Sequence, residues 1–246
     1  MSAADPKNVE ELKQYAESRG RPATFQGESD TILNSDCFVF LGPPASGKGT
    51  QGRRLADDRG LAYLSTGGLL REALRLKTEA GKAARPYLDK GRYVPDEIML
   101  PLVGAWLKNQ NGGWILDGFP RTLAQAVALD RELGGEKASA LRSVYLSVPH
   151  AELRQRVGGR IECESCHWVS SEEAREAEST TCKKCGGKMV TRADDDVERF
   201  EKRYREFSEM TMPLVNFYQK SARLLEVDGS LEPDSVAKEL TNKLAH

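Results

Sequence analysis

At 246 residues the chain is long enough to bury a sizeable core, as one domain or as one domain carrying insertions. Its 36 basic and 37 acidic side chains leave a formal net charge of −1, without the basic excess that marks nucleic-acid partners. No apolar run approaches the roughly 18 residues that a membrane span needs.

Residues 1–36 read as an N-terminal extension. The stretch PKNVEELKQYAESRG predicts a short helix closed by Gly20, followed by a linker. Seven acidic and four basic side chains, with no apolar segment, resemble neither a secretory signal nor an Arg-rich transit peptide. A cytoplasmic location, with no membrane or nucleic-acid partner, is the expectation.

From residue 37 onward, short apolar runs alternate with longer helical patterns. The runs are CFVFL (37–41), LAYLS (61–65), GWILD (113–117), SVYLSV (143–148) and LLEVD (224–228). Such brief, continuous runs suit strands buried on both faces of a parallel sheet. The lengths between them suit crossover helices, which predicts an α/β fold: a five-stranded parallel sheet flanked by helices. Cys37, alone in the first run, reads as a small buried hydrophobe.

The turn after the first run is GPPASGKGTQ, which fits G-x-x-x-x-G-K through Gly42, Gly47 and Lys48. Glycines let successive backbone N–H groups point at an anion. The helix that starts there adds its positive end, and the lysine reaches the outer phosphates. The usual hydroxyl directly after the lysine is displaced by one residue here, since Gly49 precedes Thr50.

Between about 156 and 192 the α/β rhythm breaks into Cys, Gly, Lys and Glu, then resumes with a helical stretch at 194–222. Cys163, Cys166, Cys182 and Cys185 stand as C-x2-C-x15-C-x2-C, a zinc-chelating spacing. Four protein thiolates leave no open position, so such a zinc is structural; a disulfide pair is the alternative, disfavoured in a reducing compartment. The segment is too poor in apolar residues to fold by burial, and metal binding would supply the folding free energy. Arginines flank it. Arg156 and Arg160 are four apart, and Arg192 and Arg203 eleven apart, so each pair shares a face if its segment is helical.

Four motifs in order, GPPASGKGTQ, YLSTGGLLR (63–71), GWILDGFPRT (113–122) and VTRADD (190–195), resemble those of the adenylate kinase family of nucleoside monophosphate kinases. The resemblance spans residues 37 to 228. It implies a P-loop NTPase fold over 37–246, with a monophosphate-binding segment at 66–95 and a lid at 158–193, its tip pinned by zinc. The activity it implies is reversible transfer of the terminal phosphoryl group of Mg·ATP to AMP, giving two ADP, by a monomer. On the ATP side the matching positions are Ala45, Ser46, Gly47, Lys48, Gly49, Thr50, Arg156 and Arg160. On the AMP side they are Thr66, Arg71, Arg92, Tyr93, Val94, Gly118, Phe119, Pro120, Arg121, Gln125, Arg192 and Arg203. Lys48, Arg121, Arg160, Arg192 and Arg203 are the implied catalytic set, with Thr50 and Asp117 indirect anchors for Mg²⁺.

Arginine suits this chemistry because its planar fork binds phosphate oxygens bidentately and stays charged. Phosphoryl transfer between two anions needs placement and charge stabilisation more than a strong base. The chain departs from the family in two places. Gly68 stands where the family usually has aspartate, which leaves Asp117 as the carboxylate for the metal. HWVS (167–170) replaces the usual pattern after the second cysteine, so the resemblance assigns Trp168 and Val169 no role. Two other readings stay open: a related kinase using GTP or another monophosphate, and a zinc-ribbon binding module on an inactive core. Thr66 and Gln125 favour AMP.

Overall fold

The computed structural model describes residues 36–157, 161–165, 168–169, 181–191 and 196–245. The N-terminal extension with its expected helix, except Asp36, lies outside the described residues, as do Arg160, Cys166 and Arg192.

Five strands form one parallel sheet: β1 (Cys37–Leu41), β2 (Ala62–Ser65), β3 (Trp114–Asp117), β4 (Arg142–Ser147) and, last in sequence, Leu224–Asp228. These are the five apolar runs, with ends shifted by a residue. β1 sits at the centre between β3 and β4, β2 flanks β3, and the last strand flanks β4. Because β1 is wholly buried, its alternate side chains serve two cores. Phe38 and Phe40 pack with Leu55, Ile115, Val144, Val227 and Leu240 on one face. Cys37, Val39 and Leu41 join Leu64, Leu116, Trp106 and Leu214 on the other. Burial also pushes the Cys37 thiol pKa up, as expected of a packing cysteine.

Helices cover both faces: α1 (Lys48–Arg59), α2 (Thr66–Arg75), α3 (Glu79–Leu88), α4 (Asp96–Lys108), α5 (Leu123–Leu133), α6 (Gly135–Ala140) and α7 (His150–Val157). Short polar side chains start several of them. Ser65, Thr78 and Thr122 accept from the backbone N–H groups of Gly68, Gly81 and Gln125, satisfying donors that the first turn leaves over. Gly81 lets α3 cross α2 at van der Waals distance, since a Cβ there would lie 2.2 Å from the Ala73 carbonyl oxygen.

Next comes an antiparallel hairpin, β5 (Ile161–Cys163) with β6 (Met189–Thr191), inside the expected lid. The helical stretch expected at 194–222 is not one helix. It divides into α8 (Val197–Glu206), a π-helical turn (Phe207–Thr211) and α9 (Met212–Lys220), after which Leu224–Asp228 is β7 and Pro233–Leu244 is α10. Asp196 caps α8 by accepting from Arg199 N at 2.8 Å, so the helix begins after Arg192. The eleven-residue spacing of Arg192 and Arg203 therefore does not put them on one helix face. α7 is described as far as Val157, and Arg160 lies outside the described residues. Among the described residues no helix is long and apolar enough to cross a membrane.

All five parallel strands end at one edge of the sheet, at Leu41, Ser65, Asp117, Ser147 and Asp228. Open parallel sheets bind ligands beyond that edge.

Candidate active site

A cleft of about 830 Å³ opens there. Its floor is the loop between β1 and α1. Gly47, at φ 92, caps α1 without a side chain, so the helix begins on bare backbone N–H groups facing the cleft. Gly42 cannot carry a side chain, as a Cβ there would stand 2.6 Å from Ser46 Oγ. Lys48 Nζ donates to the Gly42 and Pro43 carbonyls at 2.8 and 2.7 Å, which lays the ammonium along the loop. Ala45, Ser46, Gly47, Lys48, Gly49 and Thr50 all line the cleft.

Asp117, at the end of β3, is nearly buried and also lines it. Its Oδ2 accepts from the Tyr63 hydroxyl at 2.7 Å and would lie 3.5 Å from a Cβ on Gly49. The carboxylate is thus fixed beside the phosphate loop, where a metal bound to phosphate could be held through water.

The opposite wall follows β3. Gly118 takes φ +81, and a Cβ there would meet Thr66 Oγ1 at 2.8 Å and Arg121 Nη2 at 3.1 Å. Thr66 is buried and donates to the Gly118 and Asp117 carbonyls, tying α2 to this turn. Gln125, also buried, accepts from Arg121 N at 2.8 Å and donates to Asp96 Oδ1 at 2.6 Å. Gly118 and Pro120 line the cleft, while Phe119 is core. Arg92 is exposed and Val94 buried, and neither lines the cleft, nor do the buried Thr66 and Gln125, whereas Tyr93 does.

Arg71, Arg121, Arg156 and Arg203 converge on the cleft from four elements. So many cations facing one space make an anion site, and several are tied to named partners. Arg156 Nη1 donates to the Gly229 carbonyl at 2.9 Å, and Nη2 to the Ser230 carbonyl and Glu152. Arg121 Nε donates to the Gly118 carbonyl at 2.7 Å. Arg71 pairs at 3.5 Å with Glu162, a buried carboxylate on β5, so the β5–β6 hairpin meets α2.

In the hairpin region three thiols gather. Cys163, Cys182 and Cys185 have sulfurs within 4.8 Å of one another, and Cys163 Sγ and Cys185 Sγ are 3.5 Å apart. A tetrahedral zinc at about 2.3 Å from each sulfur spaces its ligands by about 3.8 Å, which these positions fit. Lys184 N donates to Cys182 Sγ at 3.3 Å. Lys184 Nζ reaches Asp57 of α1 at 2.8 Å.

Sequence reasoning missed several cleft residues. Val169 enters from the lid, Glu152 and Gln155 from α7, and Phe207 and Thr211 from the π turn. Tyr63, which holds Asp117, stands in an apolar run and carried no signal of its own.

A family model described as "Adenylate kinase" matches residues 40–223. A protein named adenylate kinase from Archaeoglobus fulgidus is 42% identical over 209 residues, covering 82% of this chain and 95% of the relative. One of the same name from Thermosipho africanus is 39% identical, covering 83% and 97%. Another from Dehalococcoides mccartyi is 37% identical, covering 84% and 96%. The matched span holds the P-loop, both walls of the cleft and its four arginines. This chain belongs to the adenylate kinase family.

Proposed function

We infer that the enzyme transfers the terminal phosphoryl group of Mg·ATP to AMP, reversibly, giving two ADP. The observation that carries this reading is the cleft in which the P-loop, Asp117 and four arginines face one another across a space large enough for nucleotides.

Lys48 and the loop amides, from Ala45 to Thr50, hold the donor phosphates, with Arg156 and Arg160 on their outer side. The carbonyls of Gly229 and Ser230, already bonded to Arg156, lie where a donor base would be read through backbone. Arg71 takes the acceptor phosphate. Tyr93, Gly118 and Pro120 frame its base, backed by the buried Thr66 and Gln125. Arg121, Arg192 and Arg203 bridge the two nucleotides and spread the charge of the moving group. Mg²⁺ arrives with ATP, and Thr50 and Asp117 hold it through water.

The lid, residues 158–193, closes over the phosphates and excludes water that would otherwise take the phosphoryl group. A structural zinc held by Cys163, Cys166, Cys182 and Cys185 would keep it folded. The division into an extension (1–36), a core (37–246), a monophosphate-binding segment (66–95) and this lid follows from those roles. A cytoplasmic monomer fits a chain whose reaction needs only small soluble partners.

The test is the rate of nucleoside diphosphate formation from Mg·ATP with AMP, GMP, CMP or UMP. AMP is expected to exceed each of the others by about 10²-fold in kcat/KM. Comparable use of another monophosphate contradicts the acceptor assignment, and no turnover with any of them contradicts the kinase reading for this chain.

A further inference from the structure

Arg121 is held at both its side chain and its backbone by Tyr93 and Thr211. Its guanidinium carbon lies 4.7 Å from the centroid of the Tyr93 ring. The Tyr93 and Thr211 hydroxyl oxygens are 2.9 Å apart. Thr211 Oγ1 in turn donates to the Arg121 carbonyl at 2.9 Å. These contacts form a closed circuit from the arginine side chain, through the ring and two hydroxyls, back to the arginine backbone.

The proton count orders the circuit. Threonine has one hydroxyl proton, and it goes to the Arg121 carbonyl, so the phenol donates to Thr211. That requires a protonated tyrosine. Burial pushes the Tyr93 pKa up, opposed mainly by Arg121, and keeps the phenol protonated through the neutral range.

The circuit depends on the π turn. Phe207–Thr211 winds more widely than the helices on either side, and both of its end residues are buried against the cleft. π turns within helices often occur at functional sites. Here the turn delivers Thr211 to Arg121. One residue before it, Glu206 accepts from Tyr93 N at 2.6 Å, so α8, which carries Arg203, is bonded to the same tyrosine.

We propose that Tyr93 and Thr211 are positioning residues for Arg121, fixing its guanidinium plane toward the transferring phosphoryl group and linking it to the helix of Arg203. The ring supplies a cation–π floor, and the hydroxyl pair locks the ring to the π turn. This rests on the reading that Arg121 grips the phosphates.

The experiment is steady-state kinetics on Tyr93→Phe, Tyr93→Leu, Thr211→Val and Thr211→Ser, each also made in an Arg121→Lys background. Tyr93→Phe and Thr211→Val are expected to lower kcat about tenfold with KM for ATP within about twofold, and Tyr93→Leu about 10²-fold, the scale of a 1 Å misplacement. Thr211→Ser keeps the hydroxyl and restores kcat. In the Arg121→Lys background the Tyr93→Phe effect is expected to vanish, because the group it positions is gone. An equal Tyr93→Phe loss in both backgrounds, or no rescue by serine, overturns the circuit while leaving Arg121 its role. A kcat unchanged by Arg121→Lys alone overturns the phosphate role of Arg121, and the circuit with it.

Discussion

Replacing Lys48 by methionine is expected to lower kcat by about 10³-fold, roughly 4 kcal/mol of transition-state stabilisation. The ammonium lies on the inner side of the P-loop, on the Gly42 and Pro43 carbonyls, and a phosphate entering the loop meets it at the point where charge develops. Methionine keeps the length and apolar bulk of the side chain and removes only the charge. The Gly42 and Pro43 carbonyls it releases belong to buried residues, so the melting midpoint should fall by about 2–4 °C for each kcal/mol of lost hydrogen bonding. AMP affinity should stay within about twofold, since Lys48 is not part of the proposed acceptor side, which Gly118 and Arg121 line on the opposite wall. A kcat loss below tenfold would mean that the ammonium does not face the transferred group.

The second large effect concerns the lid. The purified protein should contain about one zinc per chain, and Cys163→Ser should lose it. Cys163 is fully buried and its sulfur lies 3.5 Å from that of Cys185, so the serine removes one of the three thiols that the described residues bring together. Structural zinc contributes on the order of 10 kcal/mol to the folding of a segment that cannot bury enough apolar surface by itself. Only the hairpin depends on it, so the cost to the whole protein is smaller. A loss of about 3 kcal/mol would lower the midpoint by about 6–12 °C in a chain of this size. The KM for ATP should rise, because Val169 enters the cleft from the same hairpin region. Removing metal from the parent protein with a chelator should reproduce the melting shift. Unchanged metal content and melting in Cys163→Ser would refute the zinc assignment.

Much of this architecture could be read from the residues because the physics is local. A continuous apolar run such as CFVFL has few homes other than a strand covered on both faces, and the structure buries all five of its residues. The phosphate loop was legible for a similar reason: Gly42 and Gly47 adopt backbone angles that other residues avoid, so their spacing is a geometric signature. What remained hidden depends on tertiary context. EFSEMTMPLV has the composition of an unbroken helix, and only Pro213, in the first turn of α9, hints at the interruption, because it lacks an N–H for the preceding turn. The π turn before it places Thr211 in the cleft, and no periodicity of 3.6 residues foretells that. Val169 and Tyr63 reach the site from a hairpin and a strand whose sequences look like ordinary packing. Arg92 and Val94 show the converse, since matching positions of a motif do not all face the cleft.

We infer that one cleft passes the phosphoryl group directly between two bound nucleotides. Among the described residues lining the cleft there is no histidine or cysteine to carry it on the way. The most direct measurement is the stereochemical course of transfer from ATP made chiral at the γ-phosphorus with three oxygen isotopes. A single in-line displacement inverts the configuration at phosphorus in the ADP formed from AMP, and inversion is the predicted result. Retention would require two displacements through a phosphorylated side chain and would contradict the account.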